Sequence, residues 1–394
     1  MRLIRLTACL LTLLVASCST VRVAPERGPR DTTLLPPVRG DRAPTDAFPA
    51  ADPDGYRPPA RLAVVLPSTG GAAVAAASVR DGFLAAYYAE TRRRPIVTFY
   101  DSRGTGAGAL AAMAKARADG AQMIVGPLTR EEVAAVAGNA DGSVPVIALN
   151  RAERVPLGTT AFALLPEEEG VAAAERLLAR NLRTVLVFAD ATDNAQRAVA
   201  SFRTVYSRAG GTVVDQVAVA GETPDLTARL QALQAGPTPP QAVLMALEAG
   251  EARAINAQLR SSALAALPRV STALILTGAN ARADVELDGI EYPELPWMLG
   301  QPVGLPDPDT LGRSLASARG PAQRLFAFGV DAWRLAAFFD HLYNQPGASI
   351  RGATGVLRID ITGPVARMPA WAVFSGGTGR PAPAVAPDAG TPAR

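Results

Sequence analysis

The stretch Arg61 to Gly71, RLAVVLPSTGG, decides how the chain is read. Leu62 to Leu66 form an apolar run too short for a helix and without polar alternation, the pattern of a strand buried on both faces in a parallel sheet. Pro67 ends the run, Ser68 and Thr69 supply hydroxyls, and Gly70 and Gly71 let the backbone turn tightly. Val79, Phe83, Ala86 and Tyr87 then fall on one face of a helix. In an open α/β sheet the loop after such a strand lies at the carboxyl edge, where ligands bind.

Outward from this stretch the theme repeats. IVTFYD (96–101), QMIVGP (122–127) and VPVIALN (144–150) predict three more strands with helices between them. Thr129 is placed to cap the third helix, with Glu131 and Glu132 in its first turn. FALLPEEEG (162–170) reads as passage into a second unit, and RTVLVFAD (183–190) restarts the theme. Thr192 and Asp193 open a helix to about 208, followed by the strand TVVDQVAV, a helix near 224–234, the strand AVLMAL (242–247), a helix near 250–260 and the strand STALILTG (271–278). DGIEYPELPWMLG (288–300) predicts a strand crossing back to the first unit, 321–342 a long helix, and 352–374 a hairpin turning at Thr362-Gly363-Pro364. The fold class is therefore α/β, with two Rossmann-like lobes of parallel sheet flanked by helices. Lobe 1 takes 61–162 plus about 285–345, and lobe 2 takes 163–284 plus about 346–375.

The termini read differently. Arg2 and Arg5, the apolar run Leu6 to Val15 and the small residues Ala16 and Ser17 before Cys18 form an export signal too short to span a bilayer. Val15-Ala16-Ser17-Cys18 resembles a bacterial lipobox, which makes Cys18 the lipidated first residue of the mature chain and 1–17 the signal peptide. Several acyl chains, at about 0.8 kcal/mol per buried CH₂, would anchor it durably. By resemblance to lipoprotein sorting signals, Ser19 directs it to the outer membrane. Residues 18–60, rich in Pro and Arg, are expected to be a disordered tether, and 376–394 a disordered tail. Cys9 leaves with the signal, so no disulfide or thiol chemistry is expected of the folded part.

Composition excludes several functions. Of 394 residues, 48% are hydrophobic and 19% charged, enough for sizeable cores, and the net charge of +3 is small. Lys115 is the single lysine, and the arginines are scattered among 36 acids without an aromatic-interleaved basic stripe, so nucleic acid is not a partner. His341, the one histidine, cannot build a metal site alone, and neither a nucleophile elbow nor a phosphate loop occurs. Gly104, Gly106 and Ala109 fit the spacing of a dinucleotide fingerprint, but they follow the second strand, and the third strand ends in Gly-Pro instead of an acid. Glu167, Glu168 and Glu169 point in different directions on a helix and read as a solvated first turn. No cofactor is expected, and the chain is not read as an enzyme. The strand-end loops supply the candidate cleft residues Ser68, Thr69, Gly70, Asp101, Ser102, Gly126, Pro127, Leu128, Thr129, Asn150 and Arg151.

RLAVVLPSTGG with VRDGFLAAYYAE, YDSR, QMIVGPLTREEV, VPVIALNR, FALLPEEE, VELDGIEYPELPWMLG, FAFGVDAWRLA and GATGVLRIDITGPVARMPAWAVF together resemble the LppC family over about residues 61–375. The resemblance implies a type I periplasmic-binding-protein-like fold and a non-enzymatic role: an outer-membrane lipoprotein that binds a periplasmic class A penicillin-binding protein and stimulates its glycan-strand cross-linking. Long members carry a helical-repeat domain in front, where this sequence has only the tether. The alternative reading is a small-molecule receptor for an amino acid or muropeptide in the interlobe cleft. It rests on the hydroxyl-rich loop Pro67-Ser68-Thr69-Gly70, which resembles the ligand-gripping loop of branched-chain amino-acid receptors.

Overall fold

The computed structural model describes residues 50–138, 142–151, 159–221, 223–301, 303–359 and 364–385. The expectations for the signal peptide, Cys18, the tether before residue 50, the turn at Thr362-Gly363 and the last nine residues lie outside the described residues.

The first lobe alternates strand and helix: β1 (Arg61–Leu66), α1 (Ala73–Ala89), β2 (Ile96–Asp101), α2 (Gly106–Ala118), β3 (Met123–Val125), α3 (Arg130–Ala137), β4 (Val146–Ala148) and β5 (Thr159–Ala161). Its strands form a parallel sheet in the order β2-β1-β3-β4-β5. β1 sits inside this sheet, and Leu62 to Leu66 are all buried, as the unbroken apolar run requires.

The second lobe continues with α4 (Pro166–Leu178), β6 (Thr184–Ala189), α5 (Asp193–Arg208), β7 (Thr212–Ala218), α6 (Thr227–Ala235), β8 (Ala242–Ala246), α7 (Ala249–Arg260), β9 (Arg269–Ser271) and β10 (Glu291–Glu294). The chain then runs through α8 (Pro308–Ser314), α9 (Gln323–Ala337), α10 (Phe339–Asn344) and the strands β11 (Ile350–Arg351), β12 (Val356–Ile359), β13 (Val365–Met368), β14 (Ala370–Ser375) and β15 (Thr378–Pro381). The second sheet has the order β15-β14-β10-β9-β8-β6-β7, and β11-β12-β13 form a separate antiparallel sheet.

Several expectations move. The lobe boundaries shift because Glu291–Glu294 pair with β9 and β14 in the second sheet, so 285–294 stay with lobe 2. Ile350, Leu357, Ile359 and Val365 instead pack into the first lobe's core, so the small sheet belongs there. The crossing back is therefore made between Glu294 and Trp297, the latter buried in that same core. STALILTG is a strand only to Ser271 and then turns as a 3-10 helix over Ala273–Leu276. The long helix breaks at Phe338 between α9 and α10. The tether ends before Tyr56, whose buried ring lies 5.5 Å edge-on from Phe338 under the Arg92 guanidinium and whose hydroxyl donates to the Arg93 carbonyl at 2.6 Å. The tail begins later than 376, because Thr378–Pro381 close a hairpin on β14.

The returning helix α9 docks on α1, and both approach backbone to backbone. A methyl at Gly82 would overlap the carbonyl oxygen of Phe326, and one at Gly329 that of Val79. This contact brings Phe83 and Trp333 edge to face at 5.7 Å. Each fully buried large apolar side chain contributes about 1.5–3 kcal/mol. Gly82→Ala should therefore destabilise by about 3 kcal/mol in urea unfolding, the upper end of overpacking costs. Gly250→Ala, at an exposed helical position where a methyl would meet only the Arg253 side chain at 3.9 Å, should gain up to about 1 kcal/mol.

Candidate functional site

The carboxyl ends of the strands meet α4, α5 and α9 around a cavity of about 570 Å³ between the lobes. Lobe 1 contributes Leu128 and Arg130 after β3 and Leu149, Asn150 and Arg151 after β4. Lobe 2 contributes the start of α4, Asn194 and Arg197 from the first two turns of α5, and Leu274, Leu276 and Thr277 beyond β9. The floor is α9, with Arg324, Leu325 and Phe328. Phe328 stacks on Phe162 at 4.4 Å between centroids, fixing floor to wall.

Only part of the expected set borders this cavity. Leu128, Asn150 and Arg151 do. The Asn150 amide donates to the Leu128 carbonyl and its oxygen accepts from the Arg151 amide, both at 2.9 Å, so Asn150 ties the two loops together. Thr129 caps α3 in a capping box: its hydroxyl accepts from the Glu132 amide, and the Glu132 carboxylate accepts from the Thr129 amide at 2.8 Å. Gly126 and Pro127 stitch β3 to β4 by backbone bonds, the Gly126 amide to Ile147 and the Leu149 amide to Pro127. Gly126 has φ +106° and lies so close to Val65 that no side chain fits.

Ser68, Thr69, Gly70, Asp101 and Ser102 do not line the interlobe cavity. Ser68 and Asp101 border a separate hollow of about 250 Å³ with Arg80 and Phe99. The reason is local satisfaction. Asp101 accepts from the Ser68 amide at 2.8 Å, the Arg103 amide at 2.9 Å and the Thr69 hydroxyl at 3.0 Å. Those bonds, the Ser68 amide first, hold its carboxyl down at about 2. The carboxylate is spent on joining the β1 and β2 loops. Ser102 is fully buried, and the Gly70 carbonyl accepts from the Ala73 amide at the start of α1.

The glutamates after Pro166 are not a solvated turn. Glu167 accepts both arms of Arg197 at 2.7 Å, and Arg151 of the opposite lobe approaches it to 3.7 Å. Although burial works against it, Arg197 holds Glu167 below the usual carboxylate range. Glu168 pairs with Arg367 of β13 at 2.9 Å. Glu169 accepts the Ala273 amide at 2.9 Å. Glu294, at the end of β10, accepts Arg324 at 2.7 and 2.8 Å. Successive helical residues lie about 100° apart, so three adjacent carboxylates reach three elements. Glu168 and Glu169 thus tie α4 to β13 and to the turn after β9, beneath the cavity, while Glu294 and Arg324 hold the crossover.

Sequence reasoning missed the second lobe's half of the site. The likeness of RTVLVFAD to RLAVVLP was a usable signal, since the loop after β6 occupies the equivalent place and delivers Asn194 and Arg197. Arg324 and Glu169 carried none, because their positions depend on where the crossovers land. Among the described residues no group of three or more His, Cys, Asp or Glu side chains could hold a metal ion.

Burial pushes the Glu168 carboxyl up to about 7, against the pull of Arg367, and pushes Glu169 and Glu294 upward as well. A carboxyl whose folded pKa lies above its unfolded value binds more protons folded, so its contribution to stability falls as pH rises from about 4.5 through about 7. Stability measured by denaturant unfolding should rise as pH is lowered from 7.5 toward 5.5. Glu168→Gln should flatten that slope; an unchanged slope in the variant would remove Glu168 as its source.

The LppC lipoprotein family model matches residues 56–377. A penicillin-binding protein activator, LpoA of Photobacterium profundum, is 27% identical over 80% of this chain and 56% of its own length. The C-domain of Haemophilus influenzae LpoA, a regulator of PBP1A, superposes with TM-score 0.69 at 22% identity, over 82% of this chain and 99% of that one. A protein of Chromobacterium violaceum assigned to a branched-chain amino-acid ABC transporter gives TM-score 0.65 at 24% identity, over 80% and 99% of the two chains. The fold is thus of the two-lobed, periplasmic-binding-protein-like α/β kind. The chain spans about half the length of the curated relatives it matches. With the family match running from before β1 to the β14–β15 turn, the chain belongs to the LppC family.

Proposed function

We propose that this chain is a lipid-anchored regulator that binds a periplasmic class A penicillin-binding protein and stimulates its cross-linking of glycan strands. The observation that carries the reading is the family match across both lobes, with relatives named as activators of penicillin-binding proteins. Cys18, in its lipobox, would hold the protein on the periplasmic face of the outer membrane. The role proposed is one of binding, which the relatives named as activators support.

The test is reconstitution. The lipidated full chain added to a class A penicillin-binding protein from the same envelope should raise the cross-linking rate and be recovered with it in a pull-down. A rate left unchanged with no binding overturns the reading. In the same envelopes Cys18→Ala should move the chain out of the membrane fraction.

A second reading is favoured by the lining of the cleft, where Arg130 and Arg151, with Arg197 paired to Glu167 and Arg324 to Glu294, stand amid leucines. Such a cavity suits a carboxylate-bearing amino acid or muropeptide with an apolar body. Muropeptides should then raise the melting temperature by mass action, and Arg130→Gln with Arg151→Gln should abolish the rise. No rise with any of them would sink this second reading and leave the first standing.

A further inference from the structure

A second cavity, of about 430 Å³, lies in the first lobe away from the cleft, where the end of α1, α9, the segment 303–305 and Arg351 come together. Its lining carries three arginines, Arg92, Arg334 and Arg351, and one acid, Glu90. Its apolar walls are Trp333, Val303 and Leu305.

The arginines are not equivalent. Arg92 is fully engaged: it forks onto Glu90 with two bonds of 2.9 Å and reaches Asp54 at 2.9 Å. Arg334 is half-buried: its Nε is buried without a hydrogen-bond partner, no described residue accepts from its guanidinium, and the Phe338 ring lies 5.9 Å from it. The acids near it are spent elsewhere. Glu90 serves Arg92. Asp331, one turn earlier, accepts the Ala353 and Thr354 amides and the Thr354 hydroxyl at 2.6–2.7 Å. Arg351 is exposed at the rim and likewise takes no partner among the described residues.

A guanidinium stays charged whatever its surroundings, and a buried donor without an acceptor is costly. Arg334 supplies such a donor and Arg351 an unpaired fork at the rim; beside an indole and aliphatic walls, in a hollow within the usual size range for small ligands, they form a recognisable arrangement. We infer that this cavity is a binding site for a small oxyanion, a carboxylate or a phosphate, carried on a short apolar body, with Arg334 and Arg351 holding the anion and Trp333, Val303 and Leu305 the body. It is separate from the interlobe cleft and stands whichever reading of that cleft holds.

The experiment is calorimetric titration of the full-length protein with phenyl phosphate, benzoate and inorganic phosphate, at ionic strength held constant with sodium chloride. Phenyl phosphate or benzoate should bind, whichever is tighter naming the anion. Inorganic phosphate should bind at least about tenfold more weakly than phenyl phosphate, since it lacks the apolar body. Arg334→Met should abolish binding while raising the melting temperature in chloride alone, because it removes a buried donor that lacks an acceptor and keeps the apolar stem. Arg351→Gln, at an exposed position, should weaken binding about tenfold and keeps the test valid should the Arg334 variant fail to fold. Arg151→Gln, in the other cavity, should change nothing. Absence of binding to the wild-type protein, or equal binding in wild type and the Arg334 or Arg351 variant, overturns the assignment.

Discussion

Everything in the first lobe depends on α1 and α9 meeting without side chains between them at Gly82 and Gly329. The two helices are far apart in sequence, and five of the second sheet's seven strands, β6 to β10, lie between them in the chain. Once α9 is pressed onto α1, its remaining faces are committed. Phe328 goes to the wall of the cleft, Arg324 to Glu294 at the crossover, Asp331 to the turn between β11 and β12 of the small sheet, and Arg334 to the outer hollow. A shift of a turn in that contact would misplace all four.

The second constraint is how charge is handled beneath the cleft. Buried ion pairs are weak sources of net stability, because desolvation offsets much of the attraction. Their value here is positional. Glu168 can be satisfied by Arg367 only when β13 lies beside α4, and Glu294 by Arg324 only when the crossover has landed. Wrong arrangements leave an unpaired buried charge, which penalises them strongly. The pairs therefore specify how the two lobes are joined.

The sheet cores were legible in the sequence, since Leu62 to Leu66 and Val185 to Ala189 are apolar runs that only a doubly covered strand explains. Helix caps at Thr129 and Thr192 were legible for the same reason: capping is a local matter. The strand-end loops were found, but only Leu128, Asn150 and Arg151 reach the cleft, because Asp101 is captured by donors within three residues of it and across the adjoining loop. What composition hid was long-range. Nothing near Tyr56 announces that its ring will lie on Phe338, and nothing in a run of three glutamates says which will meet Arg367.

The discontinuity of the first lobe has a consequence for how the protein comes into being. Its core joins Tyr56 and Leu62 to Leu357 and Val365, so the lobe that starts first in the chain is closed only near the chain's end. The second lobe needs only the stretch from α4 to β10 for most of its sheet, with β14 and β15 added at one edge. Contacts so distant along the chain carry a large loop-closure cost and slow folding. During synthesis the N-terminal strands wait, their apolar faces uncovered, until nearly the entire chain has emerged. A cut before β13 would thus open the core around β1 as well as strip β14 and β15 from the second lobe, so the damage does not stay near the cut.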